Sequence, residues 1–323
     1  LPNRAVLFGL APDTLLQTAE EAEASKMFDS VWVGDNFLSK PRLEAIVTLS
    51  ALAARTKRLK LGTICLASFP LRHPLPFAIQ WASLDVLSGG RTILVVCNGG
   101  SATWGGAYAT ELAAMGVKSN ERAAIVEEQI EILRRFFGPD PVTYHGRFYD
   151  FDGVQMLPKP VQSRVPIGIA VKPPVEDTAA QERILRRVAR LADAWQMDSI
   201  DPVVFRGWWE RVRAYAAEYG RADALTDAQL HLMVNINDDA ERAYQESVEF
   251  LGRYYGEGAI SREYLEHWLA FGSPAAVIEK IHTFVEAGFT TPVLRFTSPN
   301  QLGQLDRCVS EVLPTFRGVA QFG

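Results

Sequence analysis

Residues 54–100 read ARTKRLKLGTICLASFPLRHPLPFAIQWASLDVLSGGRTILVVCNGG. The stretch is a helix end, a strand, a loop, a helix, a Gly-Gly break, a second strand and a glycine-rich loop. Leu59–Cys65 is a short apolar run with Gly62 inside it. Pro74 stands at the start of a helical pattern, where a missing N–H costs nothing. Gly89 and Gly90 end that helix, and Thr92–Cys97 is a second apolar run. Two parallel strands joined by a helix form a right-handed crossover unit, and the loops at the C-terminal ends of such strands carry the chemistry. Here those loops are Leu66–His73 and Cys97–Gly106.

Outward from this unit the same alternation fills the chain. Strands are predicted at Ala5–Leu10, Ser30–Gly34, Leu59–Cys65, Thr92–Cys97, Val165–Val171, Ala194–Met197, Leu230–Ile236 and Pro292–Phe296. Helices are predicted at Thr14–Met27, Arg42–Ala54, Leu75–Leu87, Arg122–Phe137, Ala179–Ala192, Pro202–Tyr219, Asp239–Tyr255 and Ala275–Ala287. Eight of each, alternating, is the pattern of an α/β chain folded as a (β/α)8 TIM barrel. A doubly wound open sheet fits the pattern almost as well, but no GxGxxG turn follows the first strand. Three segments interrupt the alternation: Gly99–Glu121 after the fourth strand, a hairpin at Val142–Phe151 around Gly146, and Glu257–Phe271 after the seventh strand. Long insertions of this kind commonly form lids or substrate walls. The whole chain, 1–323, reads as one barrel domain.

The 323 residues are 48% hydrophobic and 22% charged, with a net charge of −5, ordinary values for a globular enzyme. No dense Lys/Arg patch interleaved with aromatics occurs, which argues against nucleic acid as a partner. No apolar run approaches the ~18 residues of a membrane helix, so no membrane partner is expected. Cys65, Cys97 and Cys308 make no CxxC pair, which points to a reducing, cytoplasmic setting and away from structural zinc. In the bare sequence Cys65 and Cys97 read as small apolar filling of adjacent strands, with a disulfide between them left open. The five histidines show no HxH or HExxH spacing, so no metal site is expected.

Six fragments in order, SVWVGDNF, RLKLGT, LSGGR, VTYHGRFYDFDGVQMLPKPVQ, RVARLADAW and FGSPAAVIEKIHTFVEAGF, resemble the bacterial-luciferase-like superfamily of flavin- and deazaflavin-dependent oxidoreductases. The resemblance spans about 31–314. It implies a barrel with a flavin-type ring across its C-terminal mouth, a phosphate site after the fifth strand, a homodimer, and reduced cofactor supplied by a separate flavin reductase.

The resemblance also places candidate site residues. Asp35 and Asn36 close the second strand; many family members carry a His at the Asn36 position, and Asn36 has no titratable proton, so its role is to orient. Ile64 and Cys65 align with a non-proline cis peptide beneath the ring. Asn98 and Gly99 replace the family's glycine turn, where backbone N–H groups approach a ring closely. Ala170, Val171 and Lys172 stand where the family often has Gly-Gly for the cofactor phosphate; Val171 loses the glycine conformation and Lys172 offers a point charge instead. Gly9, Asn36, Trp104 and Trp268 are expected around the substrate.

The scarcity of acid–base pairs leaves the chemistry to the cofactor. The expected activity is monooxygenation of a small organic substrate with reduced FMN and dioxygen. The alternatives are hydride transfer by a deazaflavin (coenzyme F-420 type) reductase or dehydrogenase and, from another class, a non-catalytic flavin-binding barrel.

Overall fold

A computed structural model describes residues 1–4 and 9–317, with the Trp104 side chain also outside the description. The strands are β1 (Ser30–Val33), β2 (Lys60–Thr63), β3 (Thr92–Val96), β4 (Val142–His145), β5 (Asp150–Val154), β6 (Ile167–Ala170), β7 (Ala194–Met197), β8 (Asp227–Ile236), β9 (Leu269–Gly272) and β10 (Thr291–Phe296). The helices are α1 (Pro12–Ser25), α2 (Ala45–Arg55), α3 (Pro74–Ser88), α4 (Gly106–Ala114), α5 (Arg122–Phe136), α6 (Thr178–Leu191), α7 (Pro202–Glu218), α8 (Ala240–Tyr255), α9 (Arg262–Glu266), α10 (Pro274–Glu286) and α11 (Gln301–Arg307).

The main sheet runs β1-β2-β3-β6-β7-β8-β10 with β9 beside β8, and every pairing in it is parallel. Each of these strands except β9 matches an expected one, and the predicted Ala5–Leu10 strand falls mostly outside the described residues. All eight expected helices are present within about three residues of their expected ends. The hairpin is β4–β5, antiparallel and closed by the Gly146 N–H on the Tyr149 carbonyl. The sequence reading missed β9, a four-residue strand inside what looked like a continuous loop and helix start.

Alternation along each strand sends one face to the helices and the other to the interior. Trp32, Ile93, Val95, Ala170 and Val293, from β1, β3, β6 and β10, meet inside with Ile64 and Cys65. The Trp32 indole lies flat against Gly62, where an added Cβ would stand 2.2 Å from the ring. This explains the glycine within the apolar run of β2. Below, the Gln196 amide donates to the Gln229 side-chain oxygen at 2.9 Å, so both polar groups are paired inside.

At the N-terminal ends of the strands, two charged groups hold the frame. Arg91, after the Gly89-Gly90 stop, donates to the carbonyls of Ala53, Thr56, Leu59 and Ser88 and to the Thr56 hydroxyl. Asp193 accepts from Arg134, Arg164 and Arg221 and from the Ile167 N–H. These networks account for the LSGGR and RLADAW fragments as stabilising features of the end away from the chemistry.

Among the described residues, β1 and β10 do not pair. They flank a cavity of about 620 Å³ lined in part by Trp32, Ile93, His231 and Val293.

Candidate active site

The loops after β1, β2, β3 and β6 converge on one mouth. The Ile64–Cys65 peptide is cis. Cys65 is bonded to Cys97 across the ends of β2 and β3, with Cα atoms 6.0 Å apart. This corrects the reading of both cysteines as apolar filling: neighbouring parallel strands bring them within disulfide range, and each side chain lies at the half-buried rim. Cys308 is a free thiol, buried and pushed up to about 12 by that burial.

Asp35 is 3% exposed and its carboxylate is spent inside the protein. It accepts the Ser68 N–H at 2.7 Å and lies 3.4 Å from the Arg72 guanidinium, which also pairs with Glu44 at 2.7 Å. Burial raises the Asp35 carboxyl above its ordinary value, and Arg72 opposes that shift. Asp35 therefore ties the loop after β2 to the end of β1, and Asn36 beside it is the half-buried residue at the mouth. His73 accepts the Leu75 N–H as the cap of α3.

Gly99 has φ +69°, and a Cβ there would stand 2.3 Å from the Ala67 carbonyl oxygen, so this turn needs glycine. The clamp on the turn is Arg122, which the sequence reading did not single out. Its Nη1 donates to the carbonyls of Asn98, Gly99 and Gly100 at 2.8, 2.8 and 2.6 Å.

The loop after β6 differs from the expected phosphate cradle. The Val171 carbonyl accepts the Trp195 indole N–H at 2.9 Å. Lys172 donates to the Ser199 carbonyl at 3.0 Å and lies over the Tyr264 ring. The N-terminus of α6 is capped by the Asp177 carboxylate on the Ala180 N–H, which places a negative charge where a phosphate was expected. These residues do not form an open anion site.

Chain 254–268 crosses the mouth as a belt of rings. Lys172 lies over Tyr264, which meets Trp268, then Tyr255, then Tyr254. Lys40 lies over Tyr255, and Tyr108 packs on Gly100. Trp268 is 2% exposed and its indole N–H is donated to the His231 carbonyl, so it supports this wall from behind. Gly9 is exposed at φ +67° just before α1, and Trp104 lies in a short turn, 102–104. The His231 imidazole is pushed down to about 3, first by burial and then by Arg295, and is therefore neutral.

The mouth has an apolar base with polar groups at its edge. The half-buried Ile64, Cys65 and Ala170 sit on the buried Trp32, Val95 and Val293 and give an apolar floor, while Asn36 and the 98–100 turn stand at its edge.

A family model described as luciferase-like monooxygenase matches residues 5–291. The chain belongs to the luciferase-like monooxygenase family. It is 24% identical, over 95% of its length and 94% of the relative's, to an F420-dependent glucose-6-phosphate dehydrogenase of Kineococcus radiotolerans. It is also 24% identical to the 4-hydroxyprotoasukamycin monooxygenase of Streptomyces nodosus subsp. asukaensis, over 92% of this chain and 75% of that one. Among solved structures, a monooxygenase of Streptomyces bottropensis superposes with a TM-score of 0.78 at 22% identity, covering 94% of this chain and 93% of that one. An F420-dependent secondary alcohol dehydrogenase matches with a TM-score of 0.78 at 19% identity, covering 94% of each chain. This luciferase-like chain is an oxidoreductase with an α/β fold built on a curled parallel sheet. No helix among the described residues is long and apolar enough to cross a membrane.

Proposed function

We propose that this luciferase-like oxidoreductase is a monooxygenase that uses reduced FMN and dioxygen on a small organic substrate. One observation carries the reading: among the described residues, Asp35, Asn36 and His231 give the ring seat no carboxylate–histidine acid–base pair. Asp35 is enclosed by Ser68 and Arg72, Asn36 cannot titrate, and His231 is held neutral. A reduced flavin, when bound, would supply the two electrons that activate dioxygen. The chain's own residues do the rest. Ile64, Cys65 and Ala170 seat the ring, the Asn98–Gly99 turn and Asn36 orient it by hydrogen bonds, and the 254–268 belt excludes water.

Several finer points belong to the same proposal. The chain 1–323 forms one luciferase-like barrel domain with insertions after the fourth and seventh strands. The enzyme works as a cytoplasmic homodimer fed by a flavin reductase, with Cys65–Cys97 a reducible pair.

A second reading, deazaflavin-dependent hydride transfer, is favoured by the F420-dependent glucose-6-phosphate dehydrogenases matched over 95% of the chain. Turnover of a substrate panel separates the two. Oxygen consumption coupled to product with reduced FMN supports the proposal, and oxygen-independent reduction of the deazaflavin overturns it. Binding without turnover of either cofactor leaves the flavin-binding barrel.

A further inference from the structure

The strongest concentration of charge at the mouth lies away from the expected phosphate loop. Tyr254, 5% exposed at the end of α8, is surrounded by four cations. Arg4 and Arg295 lie over its ring at 4.1 and 4.3 Å, and Arg42 donates to its hydroxyl at 3.2 Å. Lys40 is 4.3 Å from the centre of the adjoining Tyr255 ring. Among the described residues, none of the four cations forms an ion pair with a carboxylate. Asp35 acts on Arg42 from a distance but is held by Ser68 and Arg72; Glu111 accepts the N–H groups of Phe37 and Leu38, and Asp198 acts on Tyr255 and Tyr264. The Nε atoms of Arg42 and Arg295 are buried with no partner.

Like charges gathered in a partly dry site repel one another unless an anion joins them. The molecule registers this repulsion. Burial, with Arg4, Arg42 and Arg295, pushes the Lys40 ammonium down to about 8. Burial alone would raise the Tyr254 phenol, yet Arg295, Arg42, Arg4 and Lys40 together hold it below the ordinary range. Even an ionised Tyr254 would balance only one of four positive charges.

We propose that Arg4, Lys40, Arg42 and Arg295 form a binding site for a doubly charged oxyanion, the phosphate monoester group of the substrate, held beside the reacting ring. The inference rests on the reading of this mouth as the catalytic one and names the substrate class it would take. Arg42 and Arg295 supply forked donors suited to phosphate; Arg4, whose Nε and Nη1 donate to the Pro41 and Tyr254 carbonyls, adds charge, and Lys40 adds a point charge. The sites for ring and anion lie on one rim, since Lys40 also reaches Tyr108, which packs on Gly100 beside the ring turn.

The test follows the ring resonances of isotope-labelled tyrosine against pH. One tyrosine, absent in Tyr254→Phe, titrates below the usual value near 10. Inorganic phosphate at millimolar concentration moves that titration back up, acetate moves it less, and Arg295→Gln, checked for folding by circular dichroism, loses the response. A titration indifferent to phosphate in the unaltered protein overturns the proposal, and needs no variant. FMN is the other source of phosphate. If FMN moves the titration and riboflavin does not, the site belongs to the cofactor and the assignment to substrate falls. A phosphate response that persists with FMN bound supports it. A phosphate response with no binding of FMN or deazaflavin refutes the proposed function but keeps the anion site.

Discussion

Replacing Arg122 by Gln tests whether the 98–100 turn is held ready for a cofactor ring. In the structure one guanidinium nitrogen, Nη1, shares its two N–H groups among the carbonyls of Asn98, Gly99 and Gly100, while Nε donates to the Ser119 carbonyl at 2.9 Å. Fixing a residue's backbone costs about 1–2 kcal/mol, so three ordered residues cost about 3–6 kcal/mol. Each hydrogen bond returns about 0.5–1.5 kcal/mol net. The turn's carbonyls are half-buried and are rehydrated when the arginine is lost, which places each bond at the low end. The loss is therefore about 1.5 kcal/mol, mostly local to the turn. If the turn must be reordered to seat a ring, cofactor affinity falls about tenfold. Amide hydrogen exchange at 98–100 reads the loosening, a urea midpoint reads global stability, and cofactor titration reads affinity. Faster exchange with weaker binding and a small midpoint change is the expected result. Unchanged exchange and affinity within twofold refute the clamp.

Three further outcomes follow from the frame. Gly62→Ala sets a Cβ 2.2 Å from the Trp32 ring, and the forced shift is expected to cost about 1–3 kcal/mol in urea unfolding. Arg91→Met strips four carbonyls of a charged donor at the far end of the sheet; a loss of about 3 kcal/mol or more is expected, with cofactor affinity unaltered. His231 gives a pH signature. Its folded value, about 3, lies below the ordinary 6.5, so the unfolded chain takes the proton first and stability falls as pH drops from about 6.5 toward 3. At pH 5 the loss is about 1–2 kcal/mol, and His231→Asn removes that part of the slope between pH 7 and pH 5.

The regular part of the fold is legible because its signals are local and repeated. Ala194–Met197 is a short, fully buried run in sequence and in structure, broken only by Gln196, and Asp201–Pro202 marks the start of α7 with a cap that accepts two backbone N–H groups. The strand β9 was hidden because Leu269–Gly272 is short and sits between two helical patterns, with its partner β8 more than thirty residues away. The site was legible only in part. Gly99 and Asn36 follow directly from strand ends. The Cys65–Cys97 bond depends on register between strands, which no local pattern encodes. The basic cluster depends on four separate segments meeting at Tyr254. Only Arg295 carried a signal, a charge two residues after the interior Val293 and hence on the same face of β10.

The central claim is that the mouth formed by Asn36, Ile64–Cys65 and the 98–100 turn seats a redox-active fused ring. The most direct measurement is equilibrium binding of FMN and of the deazaflavin, each oxidised and reduced, to the unaltered protein and to Arg122→Gln. Tight binding of reduced FMN that weakens about tenfold in the variant is the predicted result. Tight binding of the deazaflavin with none for FMN contradicts the monooxygenase assignment, and binding of neither contradicts the account of the mouth itself.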